Sequence, residues 1–87
     1  MEVTILLGSS SDMPVAEKCT KILKQFDVTY QLRVASAHRS PKFVEQIIHD
    51  AEEDGCLVFI AMAGLAAALP GAVAALTTKP VIGVPCG

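Results

Sequence analysis

Short apolar runs alternate along this chain with segments whose apolar residues fall three and four apart, and that alternation leaves few folds open. V-T-I-L-L, Val3 to Leu7, ends at Gly8 as a buried parallel strand would. From Pro14 the apolar residues Val15, Ala16, Cys19, Ile22, Leu23 and Phe26 make one face of a helix. Thr29 to Val34 is β-branched and aromatic enough for a second strand. Ser40 followed by Pro41 is a helix start, a hydroxyl N-cap before a proline at the first helical position. Val44, Ile47, Ile48 and Ala51 give that second helix its buried stripe, and Gly55 stops it. Leu57 to Ala63 is a third strand, and A-G-L-A-A-A-L-P-G leads into a helix of small residues through about Leu76. Val81 to Val84 is a fourth strand. The order strand, helix, strand, helix, strand, helix, strand predicts α/β architecture, a parallel sheet with right-handed crossovers.

A chain of 87 residues with 52% hydrophobic content has room for one domain and too little polarity to stay disordered. A domain this small buries only about 60% of its unfolded surface, so its core is thin unless something else covers part of it. The third helix sharpens that expectation. Leu65 to Leu76 carries no charged side chain on any face, and a helix apolar all round is normally buried all round. One side can pack on the sheet, so the other is predicted to lie against a second copy of the chain.

Net charge is −2, and Lys18, Lys21 and Lys24 are interleaved with Glu17 and Asp27, so no basic patch for nucleic acid forms. Cys19, Cys56 and Cys86 are odd in number and widely spaced, which predicts reduced thiols and a cytoplasmic setting. The apolar opening is too short for a signal core or a membrane span. No cluster of His, Cys, Asp and Glu has metal-ligand spacing, so no metal is expected.

Three unusual segments each follow a strand, and in parallel sheets ligands bind outside the carboxyl ends of the strands. G-S-S-S-D resembles an anion cradle in which Gly8 allows a tight turn, Ser9 and Ser11 donate, and the helix start behind them adds amide donors. Asp12 either caps the first helix or accepts from sugar hydroxyls. In S-A-H-R-S-P, His38 can exchange a proton near neutral pH and Arg39 offers a cationic fork for phosphate or carboxylate. The bland alternative is a turn histidine on a backbone carbonyl beside a solvated arginine. His49 lies next to the apolar stripe of the second helix and reads as a surface residue. A-G-L-A-A-A-L-P-G supplies no acid or base. Its small residues either let backbone approach a flat ring or pack a helix tightly on the sheet.

With these segments in this order the chain resembles the PurE family, the carboxyaminoimidazole ribonucleotide mutases and aminoimidazole ribonucleotide carboxylases of purine synthesis. The likeness rests on G-S-S-S-D-M-P, S-A-H-R-S-P, A-G-L-A-A-A-L-P-G and P-V-I-G-V-P, spread over nearly the whole chain. It implies a flavodoxin-like three-layer fold, a homo-octamer and a phosphoribosyl-imidazole substrate. By position it implies substrate contacts from Ser9, Ser11, Asp12, Ser36, Ala37, His38 and Arg39. Ala63, Gly64, Ala66, Ala67 and Leu69 would wall the imidazole and the transferred carboxyl group. Ala68 stands where the family often has histidine, and Leu65 where it has a second glycine. Family members continue past Gly87, so the chain resembles the N-terminal part of a longer protein.

The residue chemistry agrees with that resemblance. Aminoimidazole is enamine-like, its ring carbon is already nucleophilic, and a carboxyl group on its exocyclic nitrogen can leave as carbon dioxide without a cofactor. Positioning and one acid/base group suffice. His38 is assigned that group, Arg39 with Ser9 and Ser11 the phosphate, and Asp12 the ribose; no ATP, biotin or metal is implied. S-A-H-R and L-P-G resemble the mutases, whereas the carboxylases that take free carbon dioxide tend to have lysine after the histidine. A related family that carboxylates a nicotinate-derived ring shares an A-G-x-A-x-A-L-P-like loop, but S-A-H-R directly after the second strand argues against it. A non-catalytic alternative is a phospho-accepting receiver or a nucleotide- or flavin-binding module. A receiver needs an acidic pair after its first strand, where this chain has Gly8-Ser9-Ser10, and Tyr30 with three phenylalanines is poor material for flavin stacking.

Overall fold

The computed structural model describes residues 1–37, 39–64 and 68–86. Its elements are β1 (Val3–Leu7), a 3-10 turn (Ser10–Asp12), α1 (Met13–Gln25), β2 (Tyr30–Val34), α2 (Pro41–Glu53), β3 (Val58–Ala63), α3 (Ala68–Ala74) and β4 (Val81–Pro85). The four strands form one parallel sheet in the order β2-β1-β3-β4. Val3 lies opposite both Tyr30 and Val58, and Phe59 opposite Val81, so the strands end together at one edge.

Alternation along β1 divides the core between the two faces of the sheet. Leu6 faces the side where Val44, Ile47, Ile48 and Ala51 of α2 and Leu69 and Val73 of α3 are buried with Phe59 and Ala61. Val3, Ile5 and Leu7 face the side where Ala16 of α1 is buried, with Cys19 and Leu23 packed partly against it. Each such aliphatic side chain contributes about 1.5–3 kcal/mol when fully buried. The result is the three-layer, flavodoxin-like α/β arrangement, with α1 alone on one face. Thr4, with no exposed surface, keeps its hydroxyl satisfied by donating to Cys56 Sγ at 3.3 Å and accepting from Gln31 Nε2 at 3.1 Å.

The apolar face expected for the first helix is only partly buried. Val15, Ile22 and Phe26 are 36%, 55% and 75% exposed, because a single helix on a narrow sheet buries only the residues pointing straight down. Ser40 does occupy the N-cap of α2 with Pro41 behind it, but its hydroxyl makes no capping bond. Gly55 turns the chain after α2 at φ +89, where a side chain would be strained. The third helix is shorter than expected, ending at Ala74, and only Leu69 and Val73 of it are buried. No helix among the described residues is long and apolar enough to cross a membrane.

Candidate functional site at the carboxyl edge of the sheet

α1 runs down one face and α2 and α3 down the other, so the chain leaves β1 and β3 in opposite directions. A crevice between those two exits is where doubly wound sheets hold ligands. The loop after β1 is anchored by Gly8 N–H, which donates to Met62 O of β3 at 2.9 Å. Gly8 is not required for that turn. Its φ is not left-handed, and a Cβ there would meet Ala63 Cβ and Met62 O at an ordinary 3.6 Å.

Beyond Gly8 the site has two sides. On the β2 side Gly8, Ser9, Ser10, Ser36, Arg39 and Ser40 line an open cleft of about 560 Å³, with Val34, Ala35 and Phe43 completing its wall. Ser9 Oγ accepts from Ser11 N–H at 3.2 Å and from Ser11 Oγ at 3.0 Å, which fills its lone pairs and leaves its own proton to donate. Ser36 Oγ accepts from Arg39 N–H at 3.2 Å, and Ser36 O from Ser40 N–H at 2.9 Å; among the described residues the Ser36 hydroxyl proton has no acceptor and is available to donate. Arg39 is exposed and forms no ion pair among the described residues. Two hydroxyl donors and a guanidinium facing one cleft suit an anion with several oxygens.

On the β3–β4 side lie Asp12, Ala63, Gly64 and Cys86. Asp12 occupies the N-cap of α1, yet its side chain makes no capping bond, and it is only 8% exposed. The capping explanation for Asp12 therefore fails on geometry. Cys86 N–H donates to Ala63 O at 2.6 Å, and a Cβ on Gly64 would lie 3.5 Å from Cys86 O, so the ends of β3 and β4 are held together. Burial, then the charge of the neighbouring Asp12 carboxylate, push the Cys86 thiol above its ordinary pKa.

Of the residues singled out from sequence, Ser9, Ser36 and Arg39 meet in the cleft, Ser11 braces Ser9, and Ala37 packs half-buried beside the α2 face of the core. Asp12, Ala63 and Gly64 sit across Gly8 from them, and Leu69 is buried under α3, where it packs the core. His38, Leu65, Ala66 and Ala67 lie outside the described residues. His49 is a surface residue with Nε2 3.2 Å from Glu53. Sequence reasoning passed over Cys86 and Phe43. Cys86 follows the last strand, a position that the carboxyl-end rule itself marks.

The fold and these loops define a doubly wound α/β domain with its polar segments gathered at the carboxyl edge. Over residues 2–87 the sequence matches the AIR carboxylase family, and the chain belongs to that family. It is 58% identical over 83 residues to the N5-carboxyaminoimidazole ribonucleotide mutase of Methanocaldococcus jannaschii, covering 95% of this chain and 51% of that protein. To the mutase of the same name from Pyrococcus abyssi it is 51% identical, covering 97% and 48%. A crystal structure of Treponema denticola PurE superposes with a TM-score of 0.92 at 38% identity, over 97% of this chain and 54% of that one. The chain thus spans about half the length of each.

Proposed function

We propose that this domain serves a purine-synthesis mutase that moves the carboxyl group of N5-carboxyaminoimidazole ribonucleotide from the exocyclic nitrogen to the ring carbon. The observation that carries this reading is the meeting of Ser9, Ser36 and Arg39 in one cleft, in a chain 58% identical to a protein of that name. The phosphate enters the cleft, where the Ser9 and Ser36 hydroxyls and the Arg39 guanidinium donate to it. The ribose and ring then extend across Gly8 toward Asp12, Ala63 and Gly64. Breaking the exocyclic N–C bond releases carbon dioxide, and the electron pair left on nitrogen takes a proton from protonated His38 to give the amine. The ring carbon attacks the trapped carbon dioxide, and His38 removes the proton from that carbon to restore the aromatic ring. The protein works in the cytoplasm as a homo-octamer and needs no cofactor.

His38→Asn should abolish turnover while binding survives, because a general acid/base contributes about 100-fold or more. Retention of over about a tenth of the rate would remove His38 from the role. The second reading, a carboxylase using free carbon dioxide, is favoured by the name of the family that the chain matches. The deciding assay follows product from the carboxylated ribonucleotide and, separately, from aminoimidazole ribonucleotide with bicarbonate, in a protein extended past Gly87 to the length of its relatives. Product from the first alone supports the mutase, and from the second alone the carboxylase. Product from neither overturns both.

A further inference from the structure

The cleft of about 560 Å³ has more room than a single anion needs, since sites of that size take whole small molecules. Its lining is of two kinds. Ser9, Ser36 and Arg39 supply donors, while Val34 and Phe43, 42% and 44% exposed, leave apolar surface open. Phe43 lies in the first turn of α2 and carries the Arg33 guanidinium over its ring, with Cζ 5.6 Å from the centroid. Arg33 stands opposite Leu6 in the register of β1 and β2, which puts it on the α2 face of the sheet. It forms no ion pair among the described residues. A guanidinium with no carboxylate on it thus backs the apolar wall of a cleft that already suits an anion.

We propose that Phe43 is a specificity-determining residue of the ligand site: with Val34 it packs against the carbon skeleton that carries the phosphate, and Arg33 is the positioning residue that fixes its ring. The cleft thereby selects the phosphate ester of a sugar over the free ion. Only the ester has C–H surface to remove from water against the wall. The methylene next to the phosphate and the near edge of the sugar meet Phe43 before the ligand crosses Gly8. This rests on the phosphate role given to the cleft above.

Calorimetric titration of the extended protein with ribose 5-phosphate and, separately, with inorganic phosphate tests it. Phe43→Ala should weaken ribose 5-phosphate about threefold or more and leave inorganic phosphate within about twofold of the parent. Phe43→Leu keeps apolar surface and should fall between the two. Arg33→Gln should weaken ribose 5-phosphate about twofold or more, and Arg33→Lys, which retains a cation for the ring, should recover part of that loss. A pair that serves stability alone predicts a lower Tm in Phe43→Ala and Arg33→Gln with both affinities unchanged, and that result would overturn the proposal. Equal losses for the two probes in Phe43→Ala would overturn it as well, because the ring would then shape the whole cleft and select nothing. Either outcome leaves the phosphate role of the cleft standing. If the parent binds neither probe, that role fails and the proposal with it.

Discussion

Arg39 stands on the rim of the cleft with its backbone N–H tied to Ser36 Oγ and its side chain exposed. Arg39→Ala should therefore leave the fold alone and weaken the phosphorylated substrate by about 1.5–3 kcal/mol, the worth of a charge-assisted hydrogen bond. Affinity for the dephosphorylated nucleoside should not change. Equal losses for both, measured by calorimetry, would make Arg39 a structural residue. At the opposite edge of the sheet, Glu2 Oε1 accepts from Thr29 N–H at 3.0 Å and Thr29 Oγ1 at 3.1 Å, and these bonds lower its pKa. A lowered carboxylate pKa favours the fold above the unfolded-state value and loses that contribution as pH falls through the folded-state value. Urea unfolding should then separate Glu2→Gln from the parent at pH 7, and the gap should narrow as pH falls below the ordinary carboxylate range. A gap that stays constant with pH would show that the charge on Glu2 is irrelevant to the clasp.

Among the described glycines, the tightest surroundings are at Gly83, where β4 passes α3. A Cβ on Gly83 would lie 3.1 Å from Pro70 Cβ and 3.3 Å from Pro70 Cγ. Both atoms belong to one stiff ring, so relief requires moving the helix, and Leu69 and Val73 anchor that helix in the core. Gly83→Ala should cost about 1–3 kcal/mol, as overpacking does, and appear as a lower Tm by thermal denaturation. An unchanged Tm would mean that α3 slides freely on the sheet. The contrasting case is Phe26, at the end of α1 and 75% exposed. Phe26→Ser should alter stability by no more than about 0.5 kcal/mol. A larger loss would indicate that another surface covers the ring.

The whole molecule is a slab of 33 × 29 × 17 Å, covered unequally on its two faces. α3 buries Leu69 and Val73 and turns Gly71 and Ala74 outward, with Ala75 exposed in the turn that follows, while across the sheet Ile82 of β4 is 52% exposed beyond the reach of α1. Because Ala75 is exposed in the single chain, a glutamate there costs the folded subunit little. In the proposed octamer with this face inside, the same charge would be buried without a partner, at several kcal/mol. Ala75→Glu in the extended protein should sediment as smaller species and keep its circular dichroism. A variant that remained octameric would place this face outside the assembly.

Periodicity in the sequence determined the element order, and with it the parallel sheet and the crowding of three loops at one edge, because spacings of two and of three to four leave little choice between strand and helix. It also determined the stripe of α2, since Val44, Ile47, Ile48 and Ala51 can meet a sheet only from one side. Tertiary structure alone decided how deep each stripe sinks. Val15, Ile22 and Phe26 obey the same spacing and remain outside, because burial depends on the width of what lies opposite. It decided as well that Ser9, Ser36 and Arg39 share a cleft and that Cys86 N–H ties the end of β4 to Ala63 O. Those residues are far apart in the chain, and contacts of that kind follow from the packing of the layers, on which a local spacing carries no information.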